Sequence, residues 1–242
     1  MTFKNPAFVP GFLLLAQVLI PSPFAIKLKF ALEEKMPELT LYTHPMSRGR
    51  IIRWMLEEIG TPYKSELIGY GDTMKSKAYR AINPMGKVPA ITYGDTVVTE
   101  CAAICAYLAD TFPDAGLAPP IRQRGDYYRW LFFAAGPVEM AVAIRSMGFD
   151  IPADKLPMAG CGRFEDVMDT LEQAIARGPF IAGDAFSAAD VYVGSHIAFG
   201  LRFGTIPPRP GLADYVERLQ ARPAFQQAQA IDDAALAALK AR

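Results

Sequence analysis

The chain has 242 residues, room for two compact domains, because a single core stops growing efficiently at about 250 residues. Apolar residues make up 51% and charged residues 21%, which supports a well-filled core and excludes a disordered chain. Lys and Arg balance Asp and Glu at 25 each with no long run of either sign, which excludes the basic stripe that a nucleic-acid partner requires.

The first 36 residues stand apart. "GFLLLAQVLI" (11–20) has about the length of a signal-peptide core and is far too short to span a bilayer. Only Lys4 precedes it, prolines at 10, 21 and 23 interrupt it, and "SPFA" is a poor cleavage site. We expect 1–36 to be an extension outside the fold, with Met36 the initiator of a chain of about 207 residues and no membrane association. N-terminal mass spectrometry of protein from its own host tests this.

From residue 39 the pattern alternates. "LTLYT" (39–43) reads as a strand, and 48–60 as a helix with Ile52, Leu56 and Ile59 at helical spacing and Gly60 as its stop. A strand over 62–68 and a short helix over 73–82 follow. The segments 87–92 and 96–99 form a hairpin about Gly94-Asp95, and 100–112 is a helix with Ile104 and Leu108 in register. The order β-α-β-α-β-β-α calls for a mixed sheet with helices on both faces. "FPDAGLAPP" (112–120) is a connector, and beyond it only helices are expected, over 122–147, 161–177, 188–203, 211–220 and 223–239. The expected architecture is an α/β domain at 37–117 followed by an all-α domain at 122–242.

Cys101, Cys105 and Cys161 contain no C-x-x-C, which argues against a disulfide framework, a zinc ribbon or a dithiol motif and favours the cytoplasm. His44 and His196 are the only histidines. Neither has a partner at ligand spacing, so no metal is expected. One feature resists the pattern: Pro89 opens a strand although proline cannot donate to a ladder.

The element order, with "NPMGKVPAI" (83–91), "TECAAICAYLA" (99–109) and "FSAADVYVGS" (186–195), resembles the glutathione transferase family, its bacterial members in particular, from residue 38 to about 230. The resemblance implies a thioredoxin-like N-terminal domain, a helical C-terminal domain, a homodimer, and glutathione bound as co-substrate at the junction. It also implies a cis bond before Pro89, which would turn the N–H and C=O of Val88 toward the cysteinyl backbone of the ligand, as in strand addition. Glu100 would then hold the γ-glutamyl amine, and residue 101 its carboxylate at a helix N-terminus. The family usually has serine where this chain has Cys101, and a thiol is the weaker donor.

In the loop after the first strand, Ser47 is the best-placed hydroxyl to stabilise the glutathione thiolate, with Arg48 and Tyr42 in reserve. Lowering a thiol pKa by two units takes roughly 2.7 kcal/mol, within reach of one donor plus a helix terminus. Ser47 could equally serve as an N-cap, and one residue can do both. Ser187 and Asp190 form a capping box, a folding element. The aromatics at 127–133 read mostly as packing, though some could line an apolar pocket. The expected function is conjugation of glutathione to a hydrophobic electrophile in detoxification. The alternatives are a glutathione-dependent disulfide or peroxide reductase, an isomerase, and a non-catalytic binding or dimerisation module.

Overall fold

The computed structural model describes residues 37–241, and the extension expected at 1–36 lies outside them. Strand β1 (Leu39–Thr43) buries Leu39 and Leu41 on one face of the sheet. Helix α1 (Gly49–Ile59) follows and ends on Gly60, whose φ of 73° places it in the left-handed region open to glycine. Strand β2 (Lys64–Leu67) and the short helices α2 (Asp72–Lys75) and α3 (Lys77–Arg80) come next. Ser76 separates those two helices: its backbone is extended and its hydroxyl accepts from the Tyr79 N–H, so the single helix expected over 73–82 is interrupted.

Strands β3 (Ala90–Tyr93) and β4 (Thr96–Thr99) form the hairpin, and helix α4 (Cys101–Thr111) closes the unit. The order in the sheet is β2-β1-β3-β4; β1 runs parallel to β2 and antiparallel to β3, with Leu41 opposite Ile91. This is the mixed sheet that the alternation called for.

The helical part is built from α5 (Gly125–Phe133), α6 (Glu139–Ser146), α7 (Phe164–Ile175), α8 (Ala188–Phe203), α9 (Leu212–Gln220) and α10 (Pro223–Lys240). The helix expected over 122–147 is not uniform. Ala134–Val138 widens to a π turn around Pro137, which has no N–H for a regular helical bond. Helix α8 opens with the capping box of Ser187 and Asp190. The buried Asp190 carboxylate also accepts from the Ile181 N–H at 2.7 Å and the Tyr215 hydroxyl at 2.8 Å, tying α8 to α9. A continuous core runs from Leu41, Ile52 and Leu56 through Ile104 and Leu108 to Leu131, Val193 and Leu219. From Glu38 onward the chain therefore packs as one unit.

Candidate functional site

A cleft of about 880 Å³ opens between the α/β part and the helical part. Both walls mix polar and apolar groups. The α/β wall carries Ser47, Arg48, Lys75 and Lys87 beside Met46, Met74 and Val88, and the helical wall sets an apolar patch of Val142, Met147, Phe199, Phe203 and Leu236 among Glu139, His196 and Arg202.

The loop between β1 and α1 is fastened at each turn. The Ser47 hydroxyl donates to the His44 carbonyl at 2.7 Å and accepts from the Gly49 N–H at 2.9 Å, so it satisfies an amide at the start of α1. The Arg50 guanidinium donates to the Pro45 carbonyl at 2.6 Å, and the Tyr70 hydroxyl to the Met46 carbonyl at 3.0 Å. Gly49 is required by space, since a Cβ there would lie 1.9 Å from the Thr43 hydroxyl oxygen. Ser47 thus sits at the positive end of α1, held in place and facing the cleft.

Val88 reaches the same cleft from the turn before β3, and the Val88–Pro89 peptide is cis. Neither the N–H nor the C=O of Val88 bonds to another backbone group among the described residues. The turn itself is clamped: the Lys75 ammonium donates to the Met85 and Gly86 carbonyls, and the Tyr79 hydroxyl and Asn83 amide donate to the Lys87 carbonyl. Pro89 is buried beneath.

Glu100 precedes α4 with φ 67° and ψ 120°, the one non-glycine residue with positive φ among those described. Such a backbone costs about 1–3 kcal/mol and is commonly kept where a ligand needs it. Cys101, at the first position of α4, is buried with its sulfur 3.9 Å from the Arg48 carbonyl. Burial pushes the Cys101 thiol up to about 12, opposed by the Arg48 charge.

Ser47, Arg48 and Val88 therefore share the cleft, and Cys101 packs directly behind Arg48. Tyr42 stands apart. Strand alternation turns it to the sheet face opposite Thr43, where its ring lies 6.0 Å from that of Tyr79. It is not part of the cleft wall.

Two groups on the helical side escaped sequence reasoning. Arg48 donates to Glu139 at the start of α6, and the other Glu139 oxygen lies 3.6 Å from Nδ1 of His196 on α8. Burial lowers His196 to about 4, with Glu139 acting against the shift and Arg48 with it, so the imidazole is neutral at physiological pH. Its Nε2 has no hydrogen-bond partner. The available signal was a histidine or a glutamate set inside an apolar helix, "VGSHIAFG" and "PVEMAVAI". Among the described residues no group of metal-ligating side chains is close enough to hold an ion.

Comparison with known proteins bears on this arrangement. A model of the glutathione S-transferase N-terminal domain matches residues 45–111, and a model of the C-terminal domain of the same proteins matches residues 159–218. The chain belongs to the glutathione S-transferase family. Glutathione S-transferase 3 of Zea mays is 28% identical over 212 residues, 79% of this chain and 93% of its own length. Among solved structures, a glutathione transferase from Methylococcus capsulatus is 28% identical with a TM-score of 0.67, covering 81% of this chain and 98% of its own. A Sulfitobacter glutathione transferase homologue, solved with bound glutathione, is 26% identical with a TM-score of 0.64, covering 83% and 99%. The chain is thus a glutathione transferase enzyme by family, with an α/β part followed by a helical one.

Proposed function

We propose that the cleft binds glutathione along its α/β wall and conjugates the thiolate to a hydrophobic electrophile held against the helical wall. One arrangement carries this reading: Ser47 and the unpaired backbone of Val88 share the cleft with an apolar patch of Val142, Phe199 and Phe203. In this scheme the N–H and C=O of Val88, over the buried Pro89, pair with the cysteinyl backbone of glutathione. Glu100 takes the γ-glutamyl amine, and the N–H of Cys101 takes its carboxylate at the start of α4.

Ser47 redirects its hydroxyl from the His44 carbonyl to the thiolate while still accepting from Gly49, and the N-terminus of α1 adds its partial positive charge. Arg48 contributes a second positive charge beside the sulfur. Holding both reactants in one cleft supplies much of the rate. Tyr42 has no part in it, because its ring lies across the sheet.

The reading extends to a homodimer, for which the exposed Tyr128 and Phe132 offer an aromatic surface, and to the cytoplasm, consistent with three free cysteines. Residues 37–117 serve as the glutathione-binding domain and 122–242 as the helical domain. A glutathione titration followed by thermal denaturation tests the site. A rise in melting temperature at millimolar ligand is expected from linkage, and no rise rejects it. Turnover of a chlorinated nitroaromatic, against none with a mixed disulfide or peroxide, separates conjugation from reduction. Ser47→Ala is expected to return the bound thiol toward its ordinary pKa and to cut kcat/KM below pH 7 by about tenfold or more. Unchanged turnover removes Ser47 from the mechanism.

A further inference from the structure

Arg50 and Arg53, one turn apart on α1, meet two successive aspartates of α10, Asp233 and Asp232. The two pairs are built differently. Arg53 and Asp232 are buried and joined at 2.8 Å, and since removing either one strands the other, this pair fixes α10 on α1. Arg50 and Asp233 are joined at 2.7 Å with side chains 20% and 54% exposed, and a pair so open to water adds little to stability.

The outer pair has a contact that the buried one lacks. The Arg50 guanidinium donates from Nε to the Pro45 carbonyl at 2.6 Å and from Nη2 to Asp233 Oδ1. Pro45 has no N–H, so its carbonyl is the one backbone group by which it can be tied. It lies two positions before Ser47. The other side-chain bonds to this loop's backbone come from His44 and Ser47 within it or from the exposed Tyr70. Arg48 reaches Glu139 with its side chain alone, whereas Arg50 links a backbone group of the loop to α10. Asp233 is not on the cleft wall, so whatever it does for the reaction passes through Arg50.

We propose that Arg50 and Asp233 are positioning residues for the loop that carries Ser47. Asp233, fixed by its buried neighbour Asp232, orients the Arg50 guanidinium, and Arg50 holds the Pro45 carbonyl so that the Ser47 hydroxyl stays aimed into the cleft. This rests on the role given to Ser47 above. A guanidinium holds both acceptors at once through donors in a fixed fork, whereas a lysine ammonium brings the same charge as a single point. Aim matters because a displacement of about 1 Å at a reacting group can cost about a hundredfold in rate.

Arg50 also lines the cleft, so the test separates its charge from its aim. Steady-state kinetics of the full chain with glutathione and a chlorinated nitroaromatic is paired with titration of the bound thiol by its ultraviolet absorbance. Arg50→Lys, which keeps the charge, and Asp233→Ala, which leaves the cleft wall intact, should each lower kcat about fivefold or more with the KM for glutathione held within about twofold. In both, the pKa of bound glutathione should rise toward that of the free thiol. The titration needs no electrophile and so decides the matter whichever glutathione reaction the enzyme runs. Asp233→Glu should restore most of the loss. In a Ser47→Ala background neither variant should lower turnover further, because both act through Ser47. Urea midpoints should match the parent, as expected of an exposed pair. Parental kcat and thiol pKa in Arg50→Lys, a rise in KM at unchanged kcat, an undiminished loss in the Ser47→Ala background, or a loss that comes only with a lowered urea midpoint each overturns the proposal. Turnover indifferent to Ser47→Ala overturns the role of Ser47 as well, which sets that failure apart from the others.

Discussion

Arg48 and Arg53 lie five positions apart at the start and middle of α1, and each reaches a carboxylate of the helical part, yet their surroundings are opposite. The Arg53–Asp232 side chains are 3% and 1% exposed, and Arg53 also donates to the Tyr63 and Ser65 hydroxyls. The Arg48–Glu139 side chains are 53% and 37% exposed and stand on the cleft wall. The same pairing thus does two jobs. Out of water, an ion pair is expensive to break, because removing one partner strands the other. In water it is worth little, and a charged ligand can replace either partner at small cost.

The largest effect that sharpens this contrast is Asp232→Ala. Leaving Arg53 buried without its anion should cost about 3–5 kcal/mol in urea unfolding. A loss under about 1 kcal/mol would mean that water reaches Arg53 and that the two pairs are alike.

The next effect concerns pH. His196 is neutral when folded, lowered to about 4 from an ordinary value of 6.5, so between those values the unfolded chain binds the extra proton. Stability from this group is complete above pH 6.5 and is lost as the pH falls toward 4, on the order of 3 kcal/mol in full. His196→Gln should flatten that part of the stability curve. A profile unchanged by the substitution would show that the imidazole is already solvated.

The smallest effect on stability is expected from Arg48→Gln, at most about 1 kcal/mol. Its mark should instead appear as a several-fold rise in KM for glutathione. If Arg48→Gln destabilised the fold as much as Asp232→Ala, the contrast between the pairs would disappear.

Much of the fold could be read from local pattern. Ile52, Leu56 and Ile59 set α1, Gly94-Asp95 set the hairpin, and Ser187 with Asp190 set the start of α8, because each signal is complete within a few residues. What pattern missed was the break at Ser76 and the π turn at Ala134–Val138. In both places one side chain or one missing N–H alters a helix whose apolar spacing continues unbroken.

The proposed site shows the same division. Ser47, Val88 and Cys101 lie in short motifs that a local reading can pick out as candidates, whereas Glu139 and His196 are placed by partners 91 and 57 positions away. Spacing along a chain carries no trace of such pairings. Tyr42 shows the reverse: near Ser47 in sequence, it is turned by one strand step to the other side of the sheet, off the cleft wall.

Cys101 has one more consequence. A free thiol beside the proposed glutathione pocket invites mixed-disulfide formation, which needs a thiolate. At a pKa pushed up to about 12 by burial, the sulfur stays protonated, and it lies covered behind Arg48. A thiol held protonated and covered in this way is a poor partner for mixed-disulfide exchange, whatever ligand occupies the cleft.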